Sequence, residues 1–138
     1  MKNRLIDLAV SNMKNAYVPY SNFRVGAAVE CDSGKIYEGC NIENASYGLT
    51  VCAERVAILK AISEGEKKIK KIAVAASSKK TSIPCGACLQ VINEFGEGVK
   101  IYCCGVDGSY DTYNMESLFP FHTRNNQLKD CLKRQKNK

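Results

Sequence analysis

Three cysteines and one glutamate carry the chemical potential of this chain. Val51-Cys52-Ala53-Glu54-Arg55 offers a thiol with a carboxylate two residues on, and Pro84-Cys85-Gly86-Ala87-Cys88 offers two thiols three residues apart. Zinc held by four protein ligands is structural, whereas three ligands plus water make a catalytic site. Three soft ligands, one free acid and a vacancy therefore point to a zinc-activated water. Each cysteine piece lies at the predicted start of a helix, where unpaired N–H groups and partial positive charge favour thiolate over thiol. Three thiolates exceed the charge of the metal by one unit, and Arg55 is placed to donate to sulfur and offset that excess. An ordinary solvated helix residue is an equal reading of Arg55.

Glu54 is either a plain first-turn acid, favoured there by the helix dipole, or a proton carrier. Its place two residues from a candidate ligand assigns it to proton transfer. Zinc lowers the pKa of its water toward about 7, and a nearby carboxylate takes that proton and passes it on. Attack on an amidine-like carbon, then protonation of the ring nitrogen and of the departing amine, would release ammonia. A structural zinc site would need a fourth Cys or His at ligand spacing. The single histidine, His122, sits in a C-terminal stretch without pattern and is expected at the surface. A redox Cys-x-x-Cys would not need the Cys-x-Glu partner.

The elements that must position these groups follow from periodicity. Residues 2–16 place Leu5, Leu8, Ala9, Met13 and Ala16 on one helical face. Pro19 breaks that pattern. Residues 24–31 and 35–39, joined by Asp32-Ser33-Gly34, predict a hairpin. Residues 41–51 read as a loop. A helix over 52–64, ended by Gly65, takes its apolar contacts from Val56, Ile58, Leu59 and Ile62. A buried strand over 69–77, a helix over 85–95 closed by Gly96, strands over 99–104 and 110–113, and a short helix from Met115 complete the order. Helices alternating with strands imply an α/β layer fold with a mixed sheet.

A chain of 138 residues suits one domain. Residues 1–121 are read as that domain and 122–138 as a basic tail, mobile or partly helical. The tail sets six basic residues (Arg124, Lys129, Lys133, Arg134, Lys136 and Lys138) against Asp130, which leaves residues 1–121 near +1 of the overall +6. Such a tail is more often a solvated end than a nucleic-acid anchor. No apolar run approaches a membrane span, and Met1-Lys2-Asn3-Arg4 does not open a signal peptide, so a cytoplasmic address is expected. Eight cysteines in an intracellular chain indicate metal binding or burial before disulfides.

The stretch Asn41-Ile42-Glu43-Asn44-Ala45-Ser46-Tyr47-Gly48-Leu49-Thr50-Val51-Cys52-Ala53-Glu54-Arg55, with Pro84-Cys85-Gly86-Ala87-Cys88, closely resembles the homotetrameric cytidine deaminases. The resemblance runs from the first helix to about Leu118. It implies a three-layer fold, a mixed five-stranded sheet with helices on both faces, and one zinc per subunit held by Cys52, Cys85 and Cys88. Glu54 would be the proton shuttle and Arg55 a support to the ligands. Asn41 and Glu43 would hydrogen-bond the ribose, Phe23 would pack against the pyrimidine, and Ala53 would also contact substrate. Ala45 and Tyr47 would reach a neighbouring subunit's site in a homotetramer. For Asn41 and Glu43 the plainer reading is a loop capping its own backbone, and for Phe23 it is core.

Two departures from the family pattern stand out. Leu89 occupies the place where the family usually has Arg. Leu118-Phe119-Pro120-Phe121 puts Phe121 directly after proline, where the family's stacking Phe comes later. The implied activity is hydrolytic deamination of cytidine and deoxycytidine to uridine and deoxyuridine, within cytoplasmic pyrimidine salvage. The rivals are a deaminase of another aminopyrimidine nucleoside such as blasticidin S, a nucleic-acid cytidine editor, and a non-catalytic zinc module. A first-position Cys and the Asn41-x-Glu43 pair favour free nucleosides.

Overall fold

The structure is a computed structural model that describes residues 3–122 and 131–135. β1 (Val25–Cys31) and β2 (Ile36–Cys40) form the expected hairpin, with Gly34 at a φ of +86° in the turn. That left-handed conformation costs glycine nothing. β3 (Ile69–Ala76) pairs antiparallel with β1, β4 (Lys100–Cys104) runs parallel to β3, and β5 (Tyr110–Tyr113) returns antiparallel to β4. The sheet order is β2-β1-β3-β4-β5. The one parallel pair needs a crossover, and α3 (Gly86–Phe95) supplies it.

α1 (Arg4–Asn12) covers one face of the sheet, with Leu5, Ile6 and Ala9 against Ala28, Ala73 and Ala75. α2 (Ala53–Ser63) and α3 cover the other, where Ala57, Ile58 and Ile92 meet Val29, Ile72, Val74 and Ile101. A short α4 (Met115–Leu118) closes the end of that core through Met115. The expected three layers around a mixed five-stranded sheet are present. β3, central and covered on both faces, accordingly reads as an apolar run apart from Lys70 and Lys71.

Two glycines set how closely the layers approach. A Cβ at Gly26 would collide with the Ala9 carbonyl oxygen of α1. A Cβ at Gly39 would stand 2.7 Å from the Ala53 carbonyl oxygen of α2. This closeness corrects one sequence expectation. The sheet-facing side of α2 is Ala53, Ala57, Ile58 and Ala61, while Leu59 is exposed and Val56 only half-buried. Small residues win because a helix held against a glycine strand has no room for larger ones.

The first helix also ends earlier than its periodicity suggests. It tightens to a 3-10 turn at Met13–Asn15, and Tyr17 then donates its N–H to the Asn41 carbonyl. The 41–51 loop is not free of structure. Ile42 bridges both Tyr17 and Val51, and Tyr47–Leu49 forms a 3-10 turn. In the basic tail, 131–135 is helical and exposed, with Lys133 and Arg134 on it. Arg124, Lys129, Lys136 and Lys138 lie outside the described residues.

Candidate metal centre

The N-termini of α2 and α3 converge beside the carboxyl end of β3. Their N-cap residues are Cys52 and Cys85. Cys88 is the third residue of α3, so it comes back beside its own cap, as N-cap and N3 side chains do in a capping box. The Sγ atoms of Cys52, Cys85 and Cys88 all lie within 4.8 Å of one another. Three sulfurs at about 2.3 Å from a tetrahedral zinc stand about 3.8 Å apart. The set therefore fits zinc with a small inward movement. His122 takes no part in this group. It is half-buried, with Nδ1 2.6 Å from the Phe119 carbonyl oxygen.

Charge is arranged as a thiolate site requires. The Cys52 thiol is pulled down to about 5, first by a hydrogen bond from Cys88 and then by Arg55. Cys88, the donor in that pair and buried, is pushed the other way. Arg55 Nη2 stands 3.6 Å from Cys52 Sγ and 3.4 Å from the Thr50 carbonyl oxygen. The two sulfurs raise the arginine's own pKa, Cys52 foremost. Arg55 is thus tied to the ligands and is not a solvated surface residue.

Glu54 is 5% exposed. Burial pushes its carboxyl up to about 7, with the charge of Cys52 adding to the effect. It lies on the wall of a cavity of about 220 Å³, together with Cys52, Ala53 and Cys85. Phe23, Val25, Val74 and Ile83 make the apolar walls, and Asn41, Thr50 and Ser82 supply polar groups. Among the described residues the lining has no Lys, Arg or His.

The other site residues fall into two groups. Asn41 reaches the cavity, with its side chain oriented by backbone: Val25 N–H donates to Oδ1 at 2.9 Å, and Nδ2 donates to the Phe23 carbonyl at 2.8 Å. Glu43 does not line the cavity. Its Oε1 accepts from the N–H groups of Tyr20 at 3.0 Å and Ser21 at 3.1 Å. The Ser21 hydroxyl, followed by those N–H groups, holds its carboxyl below the usual range. The backbone-capping reading of both residues therefore describes their side-chain bonds in the single chain. Ala45 and Tyr47 are exposed and outside the cavity, and Tyr47 meets Tyr20 edge to face.

Residues 1–104 match the family described as the cytidine and deoxycytidylate deaminase zinc-binding region. The chain belongs to this family. Its relatives include a cytidine deaminase of Sporosarcina psychrophila, 44% identical over 118 residues that cover 85% of this chain and 87% of the relative. One from Halalkalibacterium halodurans is 45% identical over 120 residues, covering 86% and 91%. The crystal structure of cytidine deaminase from Burkholderia pseudomallei superposes with a TM-score of 0.82 at 38% identity, covering 89% of this chain and all of that one. The centre is thus a zinc site of the deaminase family.

Leu89, which follows Cys88 where the resemblance led to an expected Arg, is 6% exposed and packs from α3 into the core shared with α2. Phe119 packs on that same core, while Phe121 is 98% exposed. Val25, Thr50, Val74, Ser82 and Ile83 were not singled out in the sequence. Thr50 and Ile83 share one signal: each lies two residues before a cysteine that starts a helix. In α/β sheets, ligands bind at the carboxyl ends of strands, where such segments run.

Proposed function

We propose that the protein deaminates cytidine and deoxycytidine hydrolytically, giving uridine and deoxyuridine with release of ammonia. The observation that carries this is the shared cavity: Glu54 and two of three clustered thiols face a mostly apolar slot with a few polar groups. Zinc, when bound by Cys52, Cys85 and Cys88, supplies the Lewis acidity that makes water a nucleophile at neutral pH. Water's oxygen joins the ring carbon bearing the amino group, and the C–N bond to that group breaks. Glu54 moves the protons: it takes one from water and delivers it to the ring nitrogen, then takes the second from the hydroxyl left on the ring carbon, as that oxygen becomes the carbonyl, and delivers it to the leaving amine. Arg55 offsets the excess negative charge of the sulfurs. Phe23 packs against the pyrimidine, and Ala53, on the cavity wall, contacts it. Asn41 and Glu43 take the ribose hydroxyls. The absence of a cationic side chain from the described lining favours an uncharged nucleoside over a nucleotide or a nucleic-acid strand.

The same reading includes a homotetramer with shared sites. The cavity of about 220 Å³ lies below the ~300–1,000 Å³ of typical small-molecule sites. Ile83 of its lining is at least 45% exposed, as are Tyr17, Tyr20, Ile42, Tyr47 and Leu49, which flank the lining residues Phe23, Asn41 and Thr50 in sequence. Exposed apolar groups of this kind suit an interface, and in this reading Ala45 and Tyr47 belong to a wall that a second copy supplies. Residues 1–121 are the catalytic domain in this reading, and the basic tail has no catalytic part. Among the described residues no helix is long and apolar enough to cross a membrane. Eight free thiols, three of them clustered, suit the reducing cytoplasm, where pyrimidine salvage would use this reaction.

The test is direct. Metal-quantified protein is given cytidine, deoxycytidine and blasticidin S while the ultraviolet spectrum is followed. Loss of the aminopyrimidine band is expected with the first two. In Glu54→Gln, turnover should fall by on the order of 10³-fold with zinc retained. A protein that holds zinc but leaves all three compounds unchanged would overturn the assignment.

A further inference from the structure

Arg24 lines no part of the cavity, yet both of its chain neighbours, Phe23 and Val25, do. Those neighbours are the two residues that grip the Asn41 side chain, through the Val25 N–H and the Phe23 carbonyl. The backbone of Arg24 is pinned to Ser77: its N–H donates to Ser77 Oγ at 3.0 Å, and its carbonyl accepts from Ser77 N–H at 2.8 Å. Its half-buried side chain runs to the end of the first helical segment. There Nη1 donates to the carbonyls of Met13, Lys14 and Ala16 at 3.4, 3.2 and 3.0 Å. The Met13 carbonyl also accepts from the Ala16 N–H; carbonyls at a helix end generally lack partners within the helix, and a fixed cation there satisfies several at once.

The carbonyl of Ala16 is one residue from a second grip. Tyr17 donates its N–H to the Asn41 carbonyl at 3.0 Å and accepts from the Glu43 N–H at 2.9 Å. The Asn41-x-Glu43 segment is thus held from two sides, by 23–25 through a side chain and by Tyr17 through backbone. Those two holders touch each other through the Arg24 guanidinium. We propose that Arg24 is a positioning residue for the substrate: it fixes the spacing of the two holders and so aims Asn41 and Glu43 at the sugar of the nucleoside. This deepens the function proposed above and rests on its assignment of Asn41 and Glu43 to the ribose. A guanidinium with two N–H groups on one nitrogen, shared among three carbonyls, does this where a shorter or uncharged chain cannot.

A merely structural cap would lower stability and weaken every substrate alike. A sugar-aiming role penalises only substrates whose sugar carries the hydroxyls. The experiment therefore compares cytidine with 2′,3′-dideoxycytidine, in zinc-quantified wild type and Arg24→Met. For cytidine, kcat/KM should fall about tenfold, chiefly through KM, as expected for one poorly made hydrogen bond. For dideoxycytidine it should change less than about twofold, with zinc content unchanged. Arg24→Lys, charged but shorter, should recover only part of the loss. Equal losses on both substrates, or no loss on either, overturn the proposal. If Arg24→Met does not fold, Arg24→Lys is read alone against the same pair: a smaller loss confined to cytidine supports the proposal, and its absence overturns it. Wild type that fails to deaminate cytidine at all overturns the functional assignment first and this proposal with it, an outcome distinct from equal losses in an active enzyme.

Discussion

Of the helices α1 to α4, two begin with asparagine and two with cysteine, and the pairs behave differently. At α1, Asn3 Oδ1 accepts from the Leu5 N–H at 3.1 Å, and at α4, Asn114 Oδ1 accepts from the Ser117 N–H at 2.9 Å. At α2 and α3 the N-caps are Cys52 and Cys85, and neither side chain caps its helix. A capping side chain typically contributes about 1 kcal/mol, so the two cysteine helices forgo that stabilisation. Their third positions face the cap with something other than a glutamate: Arg55 at α2 and Cys88 at α3. The sulfurs are turned toward each other and the arginine, and the helix dipoles act on negative charge gathered between the two ends. Cap stability and ligand geometry are alternatives at one position, and the two pairs of helices resolve them oppositely.

The sharpest way to break that comparison is to convert one kind of start into the other. Cys85→Ser removes a thiolate and installs a preferred cap. Zinc content and turnover should both collapse, since an alkoxide is not available to replace sulfur at neutral pH. Yet the chelator-treated variant should be more stable than chelator-treated wild type by about 0.5–1 kcal/mol in urea. Zinc retained at full stoichiometry, or a metal-free form that gains nothing, would show that α3 is not giving up a cap for the metal.

The sulfurs themselves offer a second contrast. Cys52 is drawn down to about 5 by its hydrogen-bonding neighbours, whereas the core thiols move up: Cys31 to about 11, Cys103 to about 12 and Cys104 to about 11, burial being the first cause in each. From an ordinary value of 9.0 these core thiols stay protonated in the fold after they have ionised in the unfolded chain. Their contribution is complete below pH 9 and is lost as pH rises through 11 to 12. Urea midpoints of zinc-loaded protein should therefore decline between pH 9 and 10.5. Cys103→Ala should show a shallower decline, though a lower midpoint at pH 8 from the space it leaves. An unchanged slope in that variant would mean that other groups carry the alkaline loss.

These contrasts also show what could be read from residues alone. The cysteine cluster was legible because each of its two pieces keeps its groups within one helical turn, whereas the meeting of the two turns comes from the fold. The strands were legible because β1 and β3 are dense in Val, Ile and Ala. The outward turn of Leu59 was not, because it depends on Gly39 in another element drawing α2 close to the sheet. The hold on Asn41 was equally hidden. Its side chain is gripped by residues 16 and 18 positions away, and the identity of a backbone partner leaves no trace in composition. Arg24 shows this most plainly: a basic residue in a strand-entry stretch reads as surface, and only the fold gives it three carbonyls.

The smallest expected effect falls on the other side of the opening comparison. Asn114→Ala removes the cap of α4, a helix of four residues whose Met115 is buried and whose Leu118, with the flanking Phe119, leans on the core beneath α3. A cost of about 1 kcal/mol in urea is expected, softened where Ser117 Oγ still donates to the carbonyl of residue 114. Zinc content and cytidine turnover should be unchanged, because α4 supplies no ligand and no cavity wall among the described residues. The value of this variant lies in that second reading. Should zinc occupancy drop with the cap, strain would be passing from α4 through α3 to Cys85 and Cys88. The cysteine starts would then depend on the asparagine starts for their geometry, rather than standing as a separate solution to the same problem.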